Sequence, residues 1–142
     1  MSAPLKPPGP EPQRRSFRHV RAAALLSAAS LLNHLAWLGW DQERDIQPDG
    51  SSTGPYQAWQ VIGVVLVLGV LAAIAGRSGH PVLGTLCLAG VFSLAWSVNA
   101  FLSDNSGLWV LGAMVLVPAS FLGVALVAAI ASSTRRLPQA AR

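Results

Sequence analysis

The sequence predicts an all-α integral membrane protein, with four transmembrane helices in an antiparallel bundle and both the N-terminus and the C-terminus in the cytoplasm. Three observations lead to this fold class. Only 11% of the 142 residues are charged, whereas soluble domains carry about 25%. Long charge-free segments separate the charged residues, and the basic residues are concentrated on one side of these segments. A chain with so few charges is solvated largely by lipid.

The charge-free segments set the number and position of the predicted helices. They cover residues 22–40, 50–76, 78–103 and 105–134. Crossing a hydrocarbon core of about 30 Å takes roughly 20 residues in a helix, so each segment provides one span. Turn residues and aromatic side chains at their ends narrow the predicted helices to 21–40, 56–75, 82–102 and 109–131. Strands are not expected, because the segments lack the alternation of a barrel strand.

The distribution of charge predicts the orientation of these helices. The side that holds both termini receives nine of the ten Lys and Arg residues, whereas the other side receives Arg44 and five of the six acidic residues. Positively charged loops remain in the cytoplasm, so both termini are predicted to be inside. Aromatic rings settle at headgroup level, and the predicted outer ends carry Trp37, Trp40, Tyr56, Trp59 and Trp109.

The predicted spans divide the chain into three parts. Residues 1–18 are expected to form a disordered, proline-rich and basic cytosolic tail, 19–132 the four-helix transmembrane domain, and 133–142 a short basic cytosolic tail. Nine of the ten basic residues are Arg, which together with the many Ala, Gly, Val and Leu residues is typical of a GC-rich bacterial genome. The expected location is therefore the plasma (inner) membrane.

A polar cluster is the candidate site. On the first helix, two serines, an asparagine and a histidine fall in or beside one stripe at 100° per residue. The third helix offers a face of small residues with two serines, and a further asparagine stands beside that face. The cluster consists of Ser27, Ser30, Asn33, His34, Ser93, Ser97 and Asn99. We expect the two faces to pack through hydrogen bonds, and the alternative is an outward-facing cavity with His34 as a ligand or proton carrier.

Two pairs of small residues one helical turn apart point to close helix contacts. Gly69 with Ala73 lies in the second predicted helix, and Ala119 with Gly123 lies in the fourth. Small residues at this spacing let helix backbones approach each other in a membrane. The sequence alone fits packing within the chain and packing between chains equally well.

The sequence contains no acid–base pair, nucleophile motif, phosphate-binding loop or metal-ligand motif, and no carboxylate within a predicted span. We therefore expect a non-catalytic accessory or assembly component that packs against membrane lipids and either another membrane protein or copies of itself. No cofactor and no nucleic-acid partner are expected. One alternative is an oligomeric channel or facilitator lined by Ser27, Ser30 and His34. A weaker alternative is an enzyme at the outer membrane face that uses His34 and Asp41, which lie about 10.5 Å apart along the helix axis.

Overall fold

The computed structural model describes residues 11–40, 48, 56–104 and 107–134. Over these ranges the chain forms no strand and four helices: α1 (Glu11–Leu38), α2 (Ala58–Arg77), α3 (Pro81–Ser103) and α4 (Trp109–Thr134). The predicted all-helical fold is thereby confirmed. Helices α2, α3 and α4 are each long and apolar enough to cross a membrane, with mean hydropathies of 2.4, 1.7 and 2.4. Asp41 and most of the predicted outer loop lie outside the described residues.

Helix α1 differs most from its prediction. It begins at Glu11 rather than at residue 21, so residues 11–18, predicted to belong to a disordered tail, are helical. The prediction used charged residues as helix ends. Charges end a segment that hydrocarbon can solvate, but Arg, Gln and Glu are good helix formers and extend a helix into water. Among the described helices, α1 alone falls below the hydropathy of a membrane span, because its apolar part is interrupted by Ser, Asn and His.

The turn between α2 and α3 is closed by glycine and proline. Gly79 has φ +83°, a left-handed conformation that L side chains rarely adopt. Its backbone N–H donates to the Gly76 carbonyl at 3.1 Å, and the His80 N–H donates to the Ala75 carbonyl at 3.0 Å. These two bonds form a Schellman motif, which satisfies carbonyls at the end of α2. Pro81 then begins α3, where its missing N–H costs nothing.

Helices α2 and α3 form the middle of the bundle, since each of them contacts both α1 and α4. Helices α1 and α3 run in the same direction, because Ser30 contacts Leu88 and His34, one turn later, contacts Phe92. The interior is built largely from small and medium apolar side chains. Its fully or nearly fully buried members include Val64, Leu68, Ala72, Leu88, Ala89, Val124 and Ala128.

Candidate functional site

Two hydrogen bonds tie α1 to the middle of the bundle. The Ser30 hydroxyl donates to the backbone carbonyl of Leu88 on α3 at 2.7 Å, and the Asn33 side-chain amide donates to the carbonyl of Val64 on α2 at 3.2 Å. Both bonds are buried. A helix carbonyl has a second lone pair beyond the one used in its own helix, so it can accept a donor from a neighbouring helix. One polar stripe therefore fastens α1 to two other helices.

His34 occupies the same level of the bundle. Its side chain is 2% exposed, and its ring lies edge-on to the Phe92 ring with the two centroids 5.9 Å apart. Ser93, the neighbour of Phe92, is 5% exposed. Among the described residues, three buried side-chain atoms have no hydrogen-bond partner: Asn33 Oδ1, His34 Nδ1 and Ser93 Oγ. The cluster is thus only partly satisfied by protein groups.

The structure brings together four of the seven residues proposed for the polar cluster. Ser30, Asn33, His34 and Ser93 are buried at the contact of α1 with α3 and α2. Ser27 and Ser97 are half-buried, one helical turn away from Ser30 and from Ser93 respectively. Asn99 lies apart from the others. Its side-chain amide contacts the Tyr56 hydroxyl at 3.5 Å, near the point where α2 begins.

The polarity of α1 is inverted relative to a helix of a soluble protein. Its polar residues Ser30, Asn33 and His34 are between 0% and 5% exposed. Four of its six leucines point away from the bundle, with exposures from 43% to 67%: Leu25, Leu31, Leu32 and Leu35. In water such a helix would leave apolar surface in solvent while it removed polar groups from it. The arrangement suits a hydrocarbon solvent, in which polar groups must face the protein interior.

The cluster offers hydrogen-bond donors and acceptors from Ser, Asn and His side chains. Within the described residues, no group of three or more His, Cys, Asp or Glu side chains could hold a metal ion. Cys87 is half-buried on α3. The Ser30 and Asn33 donors bond to carbonyls of neighbouring helices, an arrangement that occurs in helix packing.

An apolar groove lies between α2 and α4, and Leu38 of α1 also lines it. It encloses about 940 Å³ and reaches Phe92 and Trp96 of α3 at its base. Both pairs of small residues that the sequence suggested for close contacts line it. Six of its lining residues are Val64, Gly69, Ala73, Val115, Ala119 and Gly123.

Six of the seven glycines within the described helices fall into two groups. A Cβ atom at four of them would lie within 3 Å of an atom of another helix: Gly63, Gly76, Gly84 and Gly112. At Gly69 and Gly123, in contrast, a Cβ atom would meet nothing within 4 Å. The first group is used for packing within the chain. The second group faces the open groove from its two walls, a distinction that the sequence could not make because both groups occur in similar apolar surroundings.

Comparison with known proteins adds no family to this description. No protein-family model, no curated protein and no solved structure matches the chain. Two features of the molecule bear on function: the polar contact of α1 with the bundle and the groove between α2 and α4.

Proposed function

We propose that the chain is a four-span plasma-membrane protein with both termini in the cytoplasm, and that it acts as a non-catalytic assembly component. In this proposal its α2–α4 groove binds a second copy of the chain. The open groove is the observation that carries the assembly function. The inverted polarity of α1 and the distribution of Arg residues support the topology.

The length of α1 and its outward-facing side chains support it as the fourth span. Its charge-free part, residues 22–38, has 17 helical residues and is about 25 Å long, close to a hydrocarbon core of about 30 Å. Four outward-facing leucines along this part would be solvated by lipid chains. The buried polar side chains lower the hydropathy of α1, but they do not meet the lipid. With α1 as a span, the nine-to-one distribution of basic residues supports an N-in, C-in orientation.

The groove supports an assembly function because two of its glycines, Gly69 and Gly123, make no close packing contact inside the chain. Gly69 and Ala73 on α2 face Ala119 and Gly123 on α4 across the groove. Helices associate in membranes through close backbone approach at such residues, since lipid provides no hydrophobic drive. A helix about 10 Å wide fills the enclosed 940 Å³ over about 12 Å of its length, or about eight residues. The groove therefore has the size of about two turns of a transmembrane helix.

A second copy is the occupant that fits this groove. Within the chain, only 11% of the most apolar segment of α4 is buried, against 33% for α2 and 28% for α3. Among these three helices, α4 therefore has the most surface left to bury. In a two-fold dimer each α4 lies in the groove of the other chain, and the two copies of α2 and α4 form a four-helix interface. Such an interface is closed and self-complementary. Membrane topology makes the two α4 helices parallel, the orientation of small-residue helix dimers.

The channel alternative receives less support from the polar residues. A path along Ser27, Ser30 and His34 requires these side chains to line an opening. Ser30 is 0% exposed and its hydroxyl is bonded to the Leu88 carbonyl, while His34 is 2% exposed against Phe92. The groove itself is lined almost wholly by apolar atoms and suits a helix rather than an ion or a polar solute.

Single-molecule photobleaching in liposomes tests the proposal. The chain carries one fluorophore at its C-terminus and is reconstituted at decreasing protein-to-lipid ratios. We expect two bleaching steps for the unmodified chain. Gly69→Leu and Gly123→Leu should fill the groove and weaken the dimer at least tenfold, which corresponds to about 1.4 kcal/mol.

Ala129→Leu provides the matched control. Ala129 is an exposed small residue on α4, about 120° around the helix from Gly123, so its replacement should leave two bleaching steps. A chain that is monomeric at every protein-to-lipid ratio would contradict the assembly function. If the Gly69→Leu and Gly123→Leu variants still form dimers, the interface lies elsewhere and the groove does not bind the second copy.

A further inference from the structure

Two histidines from distant parts of the sequence meet at the end of the bundle where α2 passes into α3. His19 projects from α1, and His80 lies in the turn before α3. Their ring centroids are 5.0 Å apart and the ring planes are inclined by 72°. We infer that this pair is a binding site for a divalent first-row transition metal ion of the zinc class, held by one nitrogen of each imidazole.

The separation of the rings is compatible with a shared metal ion. With metal–nitrogen bonds of about 2.0–2.1 Å, two imidazoles on a tetrahedral ion have their ring centroids about 5.2 Å apart. Two imidazoles at a right angle on an octahedral ion have them about 4.5 Å apart. The observed 5.0 Å lies between these values. In the structure the rings meet edge to face, so binding a common ion requires rotation about χ2, an angle that is broadly distributed for histidine.

The backbone of His80 is already fixed for this role. Its N–H donates to the Ala75 carbonyl at 3.0 Å, and its carbonyl accepts the Gly84 N–H at 2.8 Å. Pro81 follows directly and restricts φ at the start of α3. His19 lies in the first third of α1. Because both backbones are ordered before a ligand arrives, little conformational entropy remains to be lost on binding.

The chemistry of the pair selects the ion. Imidazole nitrogen suits Zn²⁺, Cu²⁺ and Ni²⁺, whereas Mg²⁺ and Ca²⁺ require oxygen ligands. No third His, Cys, Asp or Glu among the described residues joins the pair. Water therefore completes the coordination. A site with two protein ligands and open positions exchanges its metal more readily than a closed four-ligand structural site.

Three arginines lie at the same end of the bundle, and their positive charge opposes a bound cation. Arg18 and Arg21 leave α1 about 100° and 160° away from His19, and both are exposed, as is Arg77 at the end of α2. Charges in water are screened over about 10 Å at 0.1 M ionic strength. The arginines therefore weaken the site at low salt more than at moderate salt, but they do not compete for the nitrogen ligands.

A metal ion in this position would clamp α1 to the α2–α3 turn. It would do so at the opposite end of α1 from the Trp37 and Trp40 contacts with Trp59. The inference is independent of the proposed dimer, because neither histidine lines the groove between α2 and α4.

Calorimetric titration with ZnCl₂ tests the site. The full chain is purified in detergent with an affinity tag that contains no histidine, and is treated with a chelator beforehand. We expect one Zn²⁺ per chain and no heat with MgCl₂. His19→Ala and His80→Ala should each weaken Zn²⁺ binding by at least roughly 10- to 100-fold. The loss of a residue that only hydrogen-bonds to a metal ligand already costs that much affinity.

His34→Ala is the matched control, because the chain has three histidines and the third is buried in the bundle. It should bind Zn²⁺ like the unmodified chain. His19→Gln and His80→Gln serve if either alanine variant loses helix content by circular dichroism. The inference is overturned if the unmodified chain takes up no zinc at 1 mM, if the variants at positions 19 and 80 bind normally, or if His34→Ala removes the binding.

Discussion

Gly76→Ala tests whether the contact of α2 with α4 determines the stability of the bundle. A Cβ atom at position 76 would lie 3.0 Å from the carbonyl carbon of Ala128 and 3.1 Å from its Cα, with the carbonyl oxygen closer still. These are backbone atoms of α4, so no rotation of a side chain relieves the contact. The helices themselves must move apart.

The magnitude follows from the distances. Carbon atoms pack best at about 3.5–4.0 Å, so the two helices must separate by about 0.5–1 Å, a gap that forfeits a quarter to a half of each affected dispersion contact. Overpacked sites of this kind lose about 1–3 kcal/mol. Gly69→Ala on the same helix gives the reference, because its Cβ atom meets nothing within 4 Å. Any gain in helix propensity, up to about 1 kcal/mol, is common to both variants and cancels in their comparison.

The assay is reversible unfolding by SDS in mixed micelles, followed by circular dichroism, at a dilution where the chain is monomeric. Gly76→Ala should unfold with a free energy about 1–3 kcal/mol lower than that of Gly69→Ala. Equal stability of the two variants would mean that α2 and α4 do not approach each other as closely as the structure indicates. Gly76 would then not be required for close packing of α2 against α4, and it would not differ from Gly69 in this respect.

Two further predictions concern buried serines, and they have opposite signs. Ser30→Ala removes the bond to the Leu88 carbonyl and should destabilise the bundle by about 0.6–1.7 kcal/mol. Ser120→Ala is the control, because its lost bond is to Leu116 in the same helix. If Ser120→Ala lowers the free energy of unfolding as much as Ser30→Ala does, the bond between helices does not explain the destabilisation. Ser93→Ala removes a buried hydroxyl without a partner and should be neutral or stabilising by about 1 kcal/mol in the same assay, whereas a clear loss of stability would indicate a hydrogen bond at Ser93.

The bounds of the apolar helices could be predicted closely because these helices end where the long apolar segments of the sequence end. Helices α2, α3 and α4 begin and end within three residues of the predicted positions, where charges or turn residues interrupt long apolar segments. The first turn of α3 was also predictable, because proline is favoured there. The start of α1 was not, since a helix rich in Arg can continue into water. Charge marks the limit of the hydrocarbon, and it does not mark the limit of the helix.

The polar cluster could be located from the sequence, but its partners could not. Helical periodicity places Ser30, Asn33 and His34 near one stripe. Whether Ser30 donates to a serine or to a carbonyl depends on helix rotation and register, which a pattern of residue types does not fix. The contact between Asn33 and Val64, and the meeting of His19 with His80, depend in the same way on how the helices are arranged in space.

The interior of the molecule is divided by α2 and α3 into a polar side and an apolar side. On the polar side, the Ser30 and Asn33 bonds tie α1 to α3 and α2, and breaking them should cost stability because a buried donor would lose its partner. On the apolar side, α4 leaves an open wall at Gly123. A Cβ atom there displaces nothing, so larger residues should leave the fold intact and should exclude the second helix of the proposed dimer. Substitutions on the α1 side should therefore change unfolding and leave assembly unaffected, and substitutions in the groove should do the reverse.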